Sequence, residues 1–106
     1  GFYGYTQGYG YPMQEDVITE FFANPADSRA HFTTSTSDSD YDAITKSVVA
    51  SNSVQIDGMN KTMSTTVAYV TVQTQQGGSV HYEVILARDG IAWKISDVEM
   101  YFVSQL

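Results

Sequence analysis

The sequence predicts an α+β domain: N-terminal helices packed on a curved four-stranded antiparallel sheet. Three observations carry that reading. Apolar residues between Met13 and Phe22 recur at helical spacing, while those between Val67 and Ile95 alternate at period two. Gly77-Gly78 and Asp89-Gly90 interrupt the alternating runs, and both dipeptides suit two-residue hairpin turns, whose central residues need positive φ. The stretch from Met63 to Ser104 also holds most of the β-branched and aromatic residues and the single tryptophan, Trp93.

In chain order, residues 1–11 form a Gly/Tyr-rich arm, read either as a linker or as an aromatic segment that docks on a surface. Residues 12–106 form one domain. Pro12 to Asn24 reads as a helix, with Met13, Val17, Ile18, Phe21 and Phe22 on one broad stripe and Glu15 and Asp16 at the positive end of its dipole. Asn24-Pro25 stops it and opens a second short helix that buries Ala26, Ala30 and Phe32. The run Asp38-Ser39-Asp40-Tyr41-Asp42 has the carboxylate spacing of half a calcium loop. Such a loop wants Gly and Glu where this chain has Ala43 and Val49, so a short helix capped by Ser39 or Asp40 and running to Lys46 is the better reading. Ser47 to Asp57 is predicted as the first strand, and Gly58 to Thr62 as the turn into the second. Asn60-Lys61-Thr62 fits the N-glycosylation pattern, which matters only on a eukaryotic secretory route.

With two-residue turns, the face predicted to meet the helices holds Val67, Tyr69, Thr71, Tyr82, Val84, Leu86, Trp93 and Ile95. The parity then breaks, because Val98, Met100 and Phe102 are an odd step from Ile95. One extra residue near Ser96-Asp97, a β-bulge, restores it. The opposite face is predicted to hold Ala68, Val70, Val72, Glu83, Ile85, Ala92 and Lys94, joined by Glu99 and Tyr101. Val70, Val72 and Ile85 would form an exposed apolar patch there, which points to a homodimer through the outer sheet face.

The chain of 106 residues is long enough for one core without staples, and it has no cysteine. Its net charge of −7 argues against nucleic acid and anionic membranes as partners. No apolar run approaches a membrane span. Few charges with many Ser, Thr, Gln and Tyr residues suggest an exported, extracytoplasmic protein. Gly1 reads as a cloning remnant, which leaves open whether a leader or anchor ahead of it was removed.

Candidate chemistry is sparse. Tyr69, Thr71 and Tyr82 are predicted to point inward with Trp93, where hydroxyls could bond a ligand and rings could wall it. Ordinary packing with the hydroxyls at the rim competes with that reading. His81 is predicted outward, and His31 as a surface or capping histidine. No Asp-His pair, serine nucleophile motif, metal-ligand cluster or phosphate-cradling glycine loop is legible, so no cofactor or metal is expected.

The closing hairpin, Val84-Ile85-Leu86, Arg88-Asp89-Gly90 and Trp93-Lys94-Ile95-Ser96-Asp97-Val98, resembles that of small bacterial members of the NTF2-like family, the cystatin-like α+β roll. The likeness spans roughly residues 12 to 104. It implies a cone-shaped sheet over helices, a pocket between them, and dimers that often form through the outer face. Two functions follow as expectations. The first is a noncatalytic domain that binds a small apolar ligand or another protein. The alternative is a small isomerase or dehydratase using Asp97 or Asp16 as base, with Tyr69 or Tyr82 as hydrogen-bond donors.

Overall fold

Helix α1 (Gln14–Ala23) forms where the apolar stripe falls, and it turns Val17, Ile18, Phe21 and Phe22 completely out of solvent. Met13 precedes it and is half exposed. The computed structural model describes residues 13–101. The N-terminal arm and Phe102 therefore lie outside the described residues.

The helix stops at Asn24, whose N–H reaches back to the Glu20 and Phe21 carbonyls, and Pro25 follows. The expected second short helix is two single 3₁₀ turns, Pro25–Asp27 and Arg29–His31. Helix α2 (Asp38–Ser47) starts two residues earlier than a Ser39 cap would allow. Its cap is Ser37, whose Oγ accepts from the Asp40 N–H at 3.1 Å. The three aspartates of the calcium-like run thus radiate from a helix instead of lining a loop. Arg29 pins the connection between turn and helix, donating to Thr36 O at 2.6 Å and to Asp38 Oδ1 at 3.0 Å. Tyr41 ties α2 to the same segment: its hydroxyl donates to Pro25 O and accepts from Ser28 N–H.

Four antiparallel strands follow in sheet order: β1 (Val54–Lys61), β2 (Thr65–Gln73), β3 (Ser79–Asp89) and β4 (Ala92–Tyr101). The α+β layout is therefore as expected, with both helices on one side of the sheet. β1 lies later than Ser47 to Asp57, and the residues expected as a turn, Gly58 to Lys61, belong to the strand. Being an edge strand with one side unpaired, β1 tolerates Gly58 and Asn60 and absorbs one irregularity at Asp57.

The bulge in β4 is where the broken parity placed it. Ile95 pairs with Leu86 and Asp97 with Ile85, leaving Ser96 as the extra residue. Trp93, Ile95 and Val98 consequently all face the helices. Met100 is 45% exposed, so it does not continue that row into the core. The second hairpin turns at Gly90-Ile91, because Asp89 pairs with Ala92. Its one positive φ is at Gly90, the first central position, as a type II′ turn requires. This differs from an Asp89-Gly90 turn by an even shift, so the faces of β3 and β4 stand as expected.

The first hairpin differs by an odd shift. Thr74 and Gly78 close it, Thr74 N–H donating to Gly78 O at 2.9 Å and Gly77 N–H to Thr74 O at 3.1 Å. Gly77 alone takes the left-handed conformation, with φ +94°. This is a three-residue loop, a turn followed by a left-handed residue. Tyr69 therefore pairs with Glu83 and Thr71 with His81, where a two-residue Gly77-Gly78 turn would set them opposite Leu86 and Val84. Every side chain of β2 is on the face opposite to the predicted one. Ala68, Val70 and Val72 are fully buried under the helices, and Tyr69 and Thr71 face outward.

The core is accordingly a layer of small β2 side chains under large helix aromatics. Phe21 meets Phe22 and Phe32 edge-on at centroid distances of 5.0 and 5.4 Å, and Phe22 meets Tyr82 at 5.2 Å. Among the described residues, Thr66 is the polar side chain most completely out of solvent, and its hydroxyl accepts from the buried Gln14 Nε2 at 3.2 Å.

Candidate functional site

The four expected ligand-binding residues divide between two surfaces. Tyr82 and Trp93 lie on the helix side, and Tyr69 and Thr71 on the outer face. Tyr82 is 1% exposed, and its hydroxyl accepts from the Val49 N–H at 3.0 Å. Burial raises its pKa above the ordinary phenol value, against a smaller lowering from that hydrogen bond. The Trp93 ring is covered by the Arg88 guanidinium, 4.7 Å from its centroid, and Arg88 is held in turn by Met63 O. Neither side chain walls a chamber between sheet and helices, because Phe21, Phe22, Ile18 and Leu86 fill that space.

Two concavities lie toward the rim. One of about 450 Å³ is lined by hydroxyls and amides of Ser51, Asn52, Gln73 and Thr74, together with Ala23 and Ala50. Another of about 460 Å³ lies between α2 and the bulge, lined by Asp40, Ala43, Ile44, Ser96 and Asp97. The two proposed bases and the two proposed donors are divided among α1 and both sides of the sheet. Asp16 is exposed on α1, and Asp97 caps its own bulge by accepting the Val98 N–H at 2.9 Å. Tyr82 is on the other side of the sheet from Tyr69. His31, as expected for a surface histidine, meets Glu20 at 3.0 Å.

The outer face is where chemically versatile side chains converge. The register sets them in cross-strand rows: Gln55, Thr71, His81 and Tyr101, then Gly58, Tyr69, Glu83 and Glu99, then Asn60, Val67, Ile85 and Asp97. The bulge at Asp57 brings its carboxylate over the first row. Asp57 Oδ2 accepts from Thr71 Oγ1 at 2.5 Å, and Oδ1 accepts from Gln55 Nε2 at 2.8 Å. A threonine hydroxyl has one proton, and a carboxylate can only accept. Thr71 Oγ1, 3.0 Å from His81 Nδ1, must therefore be the acceptor there. The Asp57–Thr71–His81 chain thus holds a proton on Nδ1 and leaves Nε2 outside the chain. The Tyr101 ring lies over this pair, 5.7 Å from His81 and 5.9 Å edge-on from Tyr69. Partial burial is the main reason its pKa is raised, with Asp57, Tyr69 and Glu83 adding to the rise.

Charge on this face is one-sided. Glu83 and Glu99 are register partners across β3 and β4, and Asp97 follows in the next row. Directly opposed like charges destabilise a sheet. Glu99 responds: its carboxyl contact with Asp97 raises its pKa above the ordinary glutamate value, and the charges of Asp97 and Glu83 reinforce the shift. Among the described residues, the ion pairs all use carboxylates on the helices, namely Asp38, Glu20 and Glu15. Lys94 points to the outer face a row beyond Asp97, but its Nζ is engaged by Ala30 O.

A carboxyl with a raised folded-state pKa stabilises the fold below its unfolded pKa, near 4.5, and loses that contribution as pH rises through the folded value. Glu99→Gln is therefore expected to raise the melting temperature at pH 7 by roughly 2 °C and to leave it unchanged near pH 4. Thermal unfolding at the two pH values checks this. An equal effect at both would mean that charge is not the cause.

Fold and site together define a small α+β sheet-and-helix domain with a filled interior and a decorated outer face. Searches of family models, curated proteins and solved structures return no match. Among the described residues, no helix is long and apolar enough to cross a membrane. None of their His, Asp and Glu side chains gather in threes in a way that could hold a metal ion.

Proposed function

We propose that this chain is a noncatalytic protein-interaction domain that works through the outer face of its sheet. The observation that carries the reading is the contrast between the two sides. The helix side is packed solid around Phe21, Phe22, Tyr82 and Leu86, while Val67, Tyr69, Ile85 and Tyr101 are half-buried on a face that no element covers among the described residues. A filled interior favours protein binding over the small apolar ligand. The order of helix, short turns, helix and four antiparallel strands supports kinship with the NTF2-like roll, in a version without a roomy pocket. The sparse charge and the hydroxyl-rich composition support a place outside the cytoplasm.

The expected homodimer used the same face. Of its three apolar residues only Ile85 lies there, since Val70 and Val72 are core. Stacking two copies would set Asp57, Glu83, Asp97 and Glu99 against their own kind, so a heterologous partner suits the face better.

The test is a photo-crosslinking amino acid at Val67, compared with one at Asp42 on the helix side, in the cells that make the protein. Adducts from position 67 and none from 42 are expected. A self-adduct identified by mass spectrometry would restore the homodimer, and adducts from 42 alone would overturn the reading.

A further inference from the structure

Building on an outer-face interaction site, we infer that the partner is basic: an extended segment of a protein whose lysine or arginine side chains lie along Tyr69, Tyr101, Glu83 and Glu99 of the sheet face.

The face is an aromatic surface carrying charge of one sign. Cross-strand neighbours on one face normally carry opposite or neutral groups, because opposed like charges cost stability. Here Glu83 faces Glu99, and Asp97 stands diagonally beside them. Opposed in this way, the pair costs the sheet stability. Asp57 is already committed to Thr71 and Gln55, and His81 donates into the same chain. Glu83 and Glu99, by contrast, have no cationic partner among the described residues, where the helix carboxylates Asp38, Glu20 and Glu15 do. A cation placed there offsets the charges of Asp97 and Glu83, which add to the rise that the Asp97 contact gives the Glu99 pKa.

Tyr69 neighbours Glu83 on one side of the row, and Tyr101 meets Tyr69 edge-to-face across β3. Aromatic rings beside carboxylates are the ordinary surroundings of a bound ammonium or guanidinium, since both the ring face and the carboxylate attract positive charge. Val67 and Ile85, register partners in the next row, offer aliphatic area for the stem of a long cationic side chain. The same charges repel nucleic acid and anionic lipid.

The experiment uses the full-length ¹⁵N-labelled protein titrated with a blocked heptapeptide of alternating lysine and valine, and with its glutamine-for-lysine counterpart. Chemical-shift changes are expected at the amides of β3 and β4 around Glu83 and Glu99. The double variant Glu83→Gln/Glu99→Gln is expected to weaken lysine-peptide binding about tenfold or more. Asp16→Asn/Asp42→Asn removes the same charge from the helices and is expected to leave the affinity within about twofold. The inference is overturned if the helix variant weakens binding equally, if the shifts map to the helix side, or if neither peptide binds. Equal binding of the glutamine peptide at the outer face would also overturn it while leaving the interaction face intact. The glutamine variant removes a repulsion, so its folding is not at risk, and thermal unfolding verifies that.

Discussion

Val70→Lys is expected to unfold the domain, whereas Val67→Lys, three residues earlier in the same strand, is expected to change its stability by no more than about 0.5 kcal/mol. The two valines are on opposite sides of β2. Val70 is fully buried and pairs with Tyr82, which is itself under Phe22. An ammonium there finds no carboxylate and no water, a situation that costs on the order of 4–5 kcal/mol or more. Val67 sits on the outer face opposite Ile85, in the same cross-strand row as Asp97 two strands away, where a lysine reaches solvent. Urea denaturation of the two variants checks the pair. If Val67→Lys is the variant that collapses, then the first hairpin turns at Gly77-Gly78 after all, and the outer-face site falls with it.

Phe21→Ala is expected to cost about 3–5 kcal/mol, the usual price of removing a fully buried aromatic ring. Phe21 is the hinge of the core, touching Phe22 from its own helix and Phe32 from the segment that leads to α2. Phe32 in turn meets Tyr41 on α2 at 5.0 Å and forms a parallel bridge with Ile95 on β4. Removing the ring opens a void where α1, the 3₁₀ segment and the sheet meet, and close-packed neighbours relax only partly into it. Against a total stability of roughly 5–15 kcal/mol for a domain of this kind, that loss is a large share. A drop in melting temperature of at least about 12 °C is expected, at about 4–8 °C per kcal/mol. A drop of only a degree or two would mean that the helix does not seal the sheet as described.

Only part of the outer-face site is legible in the sequence. Glu83, Ile85, His81, Glu99 and Tyr101 were assignable to that face by alternation, because β3 and β4 are joined through a turn whose two plausible positions differ by an even step. Asp57, Thr71 and Tyr69 were not. The Asp57–Thr71–His81 chain draws on three strands, and it exists only for one register of the first hairpin and one irregularity in β1. The opposed Glu83 and Glu99 were a signal that could have been found, since the bulge at Ser96 and a turn at Gly90-Ile91 bring them face to face.

Local pattern alone determined the class of the fold, its four antiparallel strands, the apolar stripe of α1 and the bulge that keeps Val98 inside. Each follows from a periodicity or from a single backbone constraint. Tertiary structure decided which side of β2 is buried. The run from Thr66 to Val72 alternates small apolar residues with Val67, Tyr69 and Thr71, so either set could pass for a core, and two adjacent glycines permit turns of different length. The choice is made by volume. α1 delivers Phe21 and Phe22 to the sheet, and Ala68, Val70 and Val72 leave room for those rings where a tyrosine would overfill the space.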